Sequence, residues 1–502
     1  MRVTCIAILV MASFGAFAQK TANPKPYANI ITAEDLKKNL YIVAGDEMQG
    51  RETATEGQRK AAAFIENYFK SIGLAPGNNG NYQMPFPVYV DSLVKSNITI
   101  NDQVFSRNED YSFMIAANHS AAYNFSEVVF AGFGISDSTR NDYKDIDARG
   151  RLVMVLSPNM AGELSPQNRR RFNFFTQQEA AMKNGAAVLF VIDNKINPME
   201  DKGNMYVNVY QKAVRINTFF VSEKIAAAIM KEEDYSTAKA ATLSNNTASK
   251  SFNANVSVEI QKESITLESS NVLGFLEGTD LKDEFVVISA HYDHLGIRNG
   301  VIWYGADDDG SGTVSILQIA KAFAKAKADG KGPRRSILFM TVSGEEKGLW
   351  GSDYYGAHPV YPLEKTSVNL NVDMIGRIDP DRKNGDSTNY IYVIGDDKLS
   401  SDLKPISEFI NKKNTKLELD YKYNDPKDPQ RIYYRSDHYN FAKRGVPIIF
   451  YFSGLHPDYH KPTDTPDKIN YDLMRKRARL IFYTAWEMAN RNAMVKRDIP
   501  LN

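Results

Sequence analysis

Five runs of this chain are nearly continuously apolar and six or seven residues long: FVVISA (Phe285 to Ala290), SILFMTV (Ser336 to Val342), SVNLNV (Ser367 to Val372), YIYVIG (Tyr390 to Gly395) and VPIIFYF (Val446 to Phe452). A strand that alternates polar and apolar residues can leave one face in water, but these runs cannot, so they must be covered on both faces. The segments between them carry helical spacing. In the stretch that starts at Thr313, Val314 and Leu317 form one apolar set and Ile316, Ala320 and Phe323 another, both recurring near 3.6 residues. Strands and helices in alternation specify an α/β fold with a mostly parallel central sheet flanked by helices.

At 502 residues the chain exceeds one ordinary core, so two folding units are expected. Residues 19–95 and 263–502 are assigned to the α/β unit, and 96–262 to an inserted β-rich domain. The inserted stretch reads as short strands such as EVVFAGFGI, RLVMVLS and AAVLFVIDN between Gly, Asn, Asp and Ser clusters. It contains no cluster of His, Asp or Glu at ligand spacing. His119 is isolated there and reads as a hydrogen-bonded or surface side chain, and Arg169, Arg170 and Arg171 read as a solvated basic face. Upstream, Thr32 with Asp35 resembles a helix N-cap. Phe64, Ile65, Tyr68, Phe69 and Ile72 mark one apolar helix face that ends where Gly73 suits a left-handed C-cap.

The 61 Lys and Arg balance 60 Asp and Glu, leaving a formal charge of +1, so nothing global favours nucleic acid or an anionic membrane. Arg2, the apolar run Cys5 to Ala12 and the small residues Ala16-Phe17-Ala18 fit a cleaved leader over residues 1–18, which implies export to the periplasm or beyond. No segment reaches the roughly 20 apolar residues of a spanning helix, so no stable membrane insertion is expected. Cys5 is the only cysteine and falls in the leader. A mature chain without thiols has neither disulfides nor thiolate metal sites.

The polar residues of interest stand just beyond the apolar runs: His291 and Asp293 in AHYDHLG, Asp307, Asp308 and Asp309 in GADDDGSG, Glu345 and Glu346 in GEEKGLWGS, Asp373 in NLNVDMIG and His460 in DYHKPTDT. In open α/β sheets ligands gather beyond the carboxyl ends of strands, so separate strand ends point to one place. Imidazole nitrogen and carboxylate oxygen together suit a borderline cation such as zinc better than calcium, which takes oxygen. Each motif alone is weaker. Asp293, two residues after His291, is expected to accept the second imidazole N–H. Three adjacent acids before a helix are either N-terminal caps or ligands. The pair Glu345 and Glu346 permits one carboxylate to bind metal while the other moves a proton. Asp373 in apolar sequence needs a partner or a cation. His456 competes with His460 on composition, Asp464 is a candidate orienter of His460, and spacing ranks none of His294, His358 or His438 as a ligand.

Taken in order, these five motifs make the chain resemble the co-catalytic di-zinc aminopeptidases of metallopeptidase family 28 over about Thr32 to Tyr89 and Ser264 to Ala493. NDYKDIDARGRLVMVL and NGAAVLFVIDN in the insert are similar to the protease-associated domain of some members. The resemblance implies two Zn2+ ions bridged by Asp308. His291 and Asp373 would complete one site, and Glu346 and His460 the other. It further implies Glu345 as general base, Asp293 as support for His291, and a cis peptide after the bridging aspartate. Tyr459, Ser436 and Asp437 would lie near a peptide substrate. The implied function is an exported aminopeptidase. On the same fold the alternatives are a carboxypeptidase for acidic C-terminal residues, a glutaminyl-cyclase-like enzyme, or a receptor-like domain that has lost its chemistry.

Overall fold

The structure, a computed structural model, describes residues 22–161, 173–208, 215–244, 246 and 249–501. The leader with Cys5 and the run Arg169 to Arg171 lie outside the described residues. The chain divides into two compact units, one of residues up to Phe86 and from Ser269 onward, the other Pro87–Glu268. Sequence texture set the limits of the insert at 96 and 262. Strands Gln83–Ile100 and Lys250–Leu276 run through both transitions, and a strand that does not break gives composition little to change at the boundary.

In the first unit the strands are β1 (Leu281–His291), β2 (Arg335–Val342), β3 (Thr366–Val372), β4 (Tyr390–Ile394), β5 (Glu418–Asp420) and β6 (Ile448–Phe452). Their order is β5-β4-β6-β3-β1-β2, with residues 272–276 adding an antiparallel edge beside β2. β1 is parallel to β2 and β3, and β3 to β6. β4 runs against β6, so one of the five apolar runs departs from the parallel set. All residues of β2, β3, β4 and β6 are buried, as their lack of alternation requires.

The principal helices of this unit are α1 (Ala33–Val43), α2 (Glu56–Ser71), α3 (Gly312–Ala328) and α4 (Tyr471–Asn490). Thr32 caps α1 by accepting from Asp35 N at 3.1 Å, and Gly73 follows α2 at φ 78°. α3 buries Val314, Ile316, Leu317, Ile319, Ala320 and Phe323 against one face of the sheet, in a core shared with Leu480, Ile481 and Phe482 of α4. Burying the Val, Ile, Leu and Phe side chains among these contributes about 1.5–3 kcal/mol each before entropy is counted.

The second unit also has parallel strands at its centre: Ala121–Phe130, Leu152–Leu156, Val188–Asp193 and Asn217–Ser222. Helices Phe174–Lys183, Glu223–Met230 and Glu232–Leu243 accompany them, so the insert is a small α/β unit rather than a purely β one. His119 is hydrogen-bonded, with Nε2 3.3 Å from the Tyr123 hydroxyl.

Candidate metal centre

Three neighbouring strands of the first unit end together. β1 stops at His291, β2 stops two residues before Gly344-Glu345-Glu346, and β3 stops immediately before Asp373. The loop 305–311 that opens α3 brings Asp308, and the loop after β6 brings His460. Parallel strands side by side present their carboxyl ends at one edge, which is why residues up to 170 positions apart share a cluster.

Asp308 is its centre. Its Oδ1 lies 3.2 Å from His291 Nε2 and its Oδ2 lies 3.1 Å from His460 Nε2. His291 Nε2 is 3.7 Å from Asp373 Oδ1, and His460 Nε2 is 3.0 Å from Glu346 Oε2. His294 also enters, with Nδ1 2.8 Å from Glu346 Oε1 and 3.8 Å from Asp308 Oδ2. His291, Asp308 and Asp373 form one set of ligand-type atoms, and His294, Asp308 and Glu346 another. Glu345 belongs to neither, with its Oε2 3.9 Å from His291 Nε2.

Most of these atoms are buried, yet His291 Nε2, both ring nitrogens of His294, Asp308 Oδ2 and Glu346 Oε1 make no hydrogen bond. Leaving one such group unpaired costs on the order of 1–3 kcal/mol, and four of the five, all but His294 Nε2, face one another within the two ligand sets, which is far from the native norm. Lone pairs turned toward a common centre are what a cation neutralises, so this donor set fits metal ions.

The acids share this burial but not its consequences. Burial raises the Glu345 carboxyl well above the usual range, with Glu346, Asp373 and Asp437 adding to the rise and His291 opposing it. A bound cation would pull it down again. For Asp308 burial acts upward, but the imidazoles of His291 and His460 outweigh it and hold the group well below its usual value. His460 is disfavoured as a cation by burial, and Asp308 and Glu346 reverse that, pushing it up to about 10.

Of the three consecutive aspartates only Asp308 faces the cluster. Asp309 Oδ1 accepts from Gly312 N and Met374 N at 2.8 and 3.0 Å, pinning the start of α3 to the end of β3. Asp307 Oδ1 accepts from Gly376 N at 2.6 Å, while its Oδ2 lies 3.3 Å from His456 Nε2. His456 therefore serves Asp307 and is outside both ligand sets. The peptide between Asp308 and Asp309 is cis.

Three expectations need correction. The His291 Nδ1 partner is the backbone carbonyl of Asp293 at 3.1 Å, with the carboxylate 3.8 Å away. β1 ends at His291, so the side-chain alternation that would have aligned the two residues has already stopped. The Asp293 carboxylate instead accepts from Thr53 Oγ1 at 2.8 Å and from Glu345 N at 3.2 Å, which fixes the loop of Glu345. Asp464 does not orient His460. Its Oδ2 accepts from Asp307 N and Asp308 N at 3.0 and 3.2 Å.

Ser436 and Asp437 are buried behind the cluster rather than on the cavity beside it. Ser436 Oγ donates to Asp373 Oδ2 at 2.7 Å, and the Ser352 hydroxyl donates to Asp437 Oδ1. The cavity is lined by Asp308, Glu345 and Asp373 and by the apolar side chains of Met374, Ile432, Phe450, Phe452 and Leu455. Tyr459 does line it. Its ring stacks on His460 with centroids 3.9 Å apart, and its hydroxyl accepts from Arg435 Nη2 at 3.1 Å.

Sequence reasoning passed over two further residues. His294 lies in the AHYDHLG motif, but the irregular chain after β1 decides where its ring goes. The ring packs so close to Gly305 that a Cβ there would fall 2.4 Å from its Cγ, and Gly305 also has φ +56°. Arg51 is wholly buried and donates to the carbonyls of Tyr292, Val43, Tyr304 and Gly305 at 2.7 to 3.0 Å. It ties the His291 loop to the Asp308 loop. Burial lowers it to about 10, with Asp293 and Asp308 acting to raise it, so it stays charged at neutral pH.

An open α/β sheet whose central strands end on paired imidazole and carboxylate sets defines the class, an α/β protein with a metal-ligand cluster at the carboxyl edge of its sheet. Residues 271–485 match the family model of peptidase family M28. A probable leucine aminopeptidase of Arthroderma otae is 31% identical over 42% of this chain and 56% of its own length. The aminopeptidase YwaD of Bacillus subtilis is 25% identical over 45% of this chain and 46% of its own length. The chain thus spans about half the length of these curated relatives, and 11% of a vacuolar membrane protease of Tuber melanosporum to which it is 37% identical. Among solved structures, an aminopeptidase from Aneurinibacillus superimposes with a TM-score of 0.53 at 19% identity, over 95% of this chain and 99% of that one. A zinc aminopeptidase from Bacillus subtilis gives a TM-score of 0.51 at 17% identity, over 94% and 99%. At such identities the likeness is one of fold.

Proposed function

We propose that this chain is an exported zinc aminopeptidase that removes N-terminal residues from peptides. The observation that carries the proposal is the division of Asp308 between two ligand sets, one oxygen to each, with the Glu345 carboxylate beside them and in neither. His291, Asp308 and Asp373 would hold one zinc ion, and Asp308, Glu346 and His460 the other. Two zinc ions held there would polarise the scissile carbonyl and lower the pKa of a water between them.

The remaining steps belong to the protein. Glu345, held by the Asp293 contact to its backbone N–H, accepts the proton of the attacking water and returns it to the departing nitrogen. The Tyr459 hydroxyl, fixed by Arg435 and by stacking on His460, is placed to donate to the oxygen that gains charge. The apolar walls of the cavity suit the side chain of the first residue. Arg435 on the same cavity gives the carboxypeptidase reading its one supporting observation, a cation for a terminal carboxylate.

The relatives named as aminopeptidases support the activity. The leader expected at 1–18 supports export, and among the described residues no helix is long and apolar enough to cross a membrane. Residues 87–268 are proposed as a protease-associated-like module.

Two measurements test the reading. Glu345→Gln should lower turnover by about three orders of magnitude or more while zinc content stays at two per chain, because the base stands outside both ligand sets. Zinc lost together with activity would make Glu345 a ligand. Peptides with an acetylated N-terminus should resist the wild-type protein, and cleavage of blocked and free peptides at equal rates would replace the aminopeptidase with the carboxypeptidase.

A further inference from the structure

The two ligand sets are unequal in a way that the family's pattern does not supply. Around the first position stand one imidazole, His291, and two carboxylates, Asp308 and Asp373. Around the second stand Asp308 and Glu346 with two imidazoles, because His294 Nδ1 is 2.8 Å from Glu346 Oε1 while His460 Nε2 is 3.0 Å from Glu346 Oε2. The two rings flank Glu346 with centroids 5.9 Å apart and planes inclined at 67°.

His294 has no exposed surface and neither of its ring nitrogens has a hydrogen-bond partner. Its backbone N–H donates to the Arg51 carbonyl at 3.2 Å, and Gly305 leaves the space its ring fills. A fully buried imidazole with one nitrogen aimed at two carboxylates that already face the second position is arranged as a ligand. A neutral ring binding through Nδ1 keeps its proton on Nε2.

Resting on the two-zinc reading above, we infer that His294 is an additional metal ligand, so that the second position is nitrogen-rich and the first oxygen-rich. Borderline ions such as zinc gain from imidazole, whereas harder ions such as manganese accept carboxylate-rich sites. The first equivalent of zinc therefore enters the position of His294 and His460, and manganese added afterwards occupies the position of His291.

The test uses the full mature chain, stripped with a chelator and reloaded with zinc. X-ray absorption at the zinc edge should count three imidazoles over two ions in the wild type and two in His294→Gln. Competition with a chromophoric chelator should show one of the two zinc affinities falling by about ten-fold or more, the scale for losing a ligand or its immediate support, and the other unchanged. The wild-type count needs no variant, so a His294→Gln chain that fails to fold does not block the test. Two imidazoles over two ions in the wild type, or an unaltered spectrum in the variant, overturns the inference while leaving the two-zinc reading intact. A wild-type chain that retains no zinc overturns both.

Discussion

Both units are built on parallel strands, and both place acids at the carboxyl ends of those strands, yet among the described residues only one of them gathers unpaired ligand atoms. In residues 87–268 the strand Val188–Asp193 ends on an aspartate whose Oδ2 accepts from Asn159 Nδ2 at 2.9 Å and whose Oδ1 accepts from Lys195 N at 3.3 Å. The neighbouring strand ends before Ser157, whose Oγ accepts from Asn159 N at 3.2 Å. Every lone pair named there has a protein partner. At the ends of β1, β2 and β3 carboxylate oxygens and imidazole nitrogens face one another, and several of these buried atoms have no hydrogen-bond partner. The sheet supplies a place, and unmet coordination at that place supplies a site.

Asp396 stands between these extremes. It lies two residues beyond β4, and its Oδ1 accepts from Asn424 Nδ2 at 3.0 Å while its Oδ2 is buried without a partner. Burial raises it to about 7. A single unpaired carboxylate is thus pushed toward its protonated form, whereas several converging with imidazoles call for a cation.

Four substitutions grade this comparison by the size of their effects. Asp308→Asn removes the charge shared by both ligand sets, so zinc content should fall below one per chain and kcat/KM by about four orders of magnitude. Retention of two zincs by that variant would break the contrast outright. Arg51→Met leaves four buried carbonyls without their donor and should cost about 3–5 kcal/mol in denaturant unfolding. A cost no larger than that of an ordinary surface change would mean the two loops hold themselves.

Asp396→Asn should stabilise the protein by about 1–3 kcal/mol at pH 8 and leave it unchanged near pH 4. The sign follows from a folded value raised to about 7, above the ordinary 3.8 of a free aspartate: the folded state keeps a proton that the unfolded state releases, so stability declines as pH rises through that window. Stability curves of wild type and variant that stay parallel from pH 4 to 8 would remove Asp396 as the intermediate case. Asp193→Asn, in the unit whose strand ends are satisfied, should change stability by about 1 kcal/mol or less and leave peptide hydrolysis within two-fold of wild type. A large loss of activity there would show that residues 87–268 share in the chemistry.

The sequence by itself determined the α/β class, the strands β1, β2, β3 and β6, the start of α3 near Gly312, and the standing of His291, Glu345, Glu346 and Asp373 at or just beyond strand ends. Those features are local: a short, mostly apolar run bounded by turn signals reads as a strand buried on both faces, and an acid or histidine at its end is visible by position. Only the tertiary structure decided what happens where regular backbone stops. It turned Asp293 from His291 toward Thr53 and Glu345, and gave His456 to Asp307. It also set Ser436 behind Asp373, brought His294 to Glu346 and placed Arg51 between two loops more than 240 residues away. Periodicity fixes side-chain direction only while the strand or helix lasts, and beyond it direction is set by packing against segments remote in the chain.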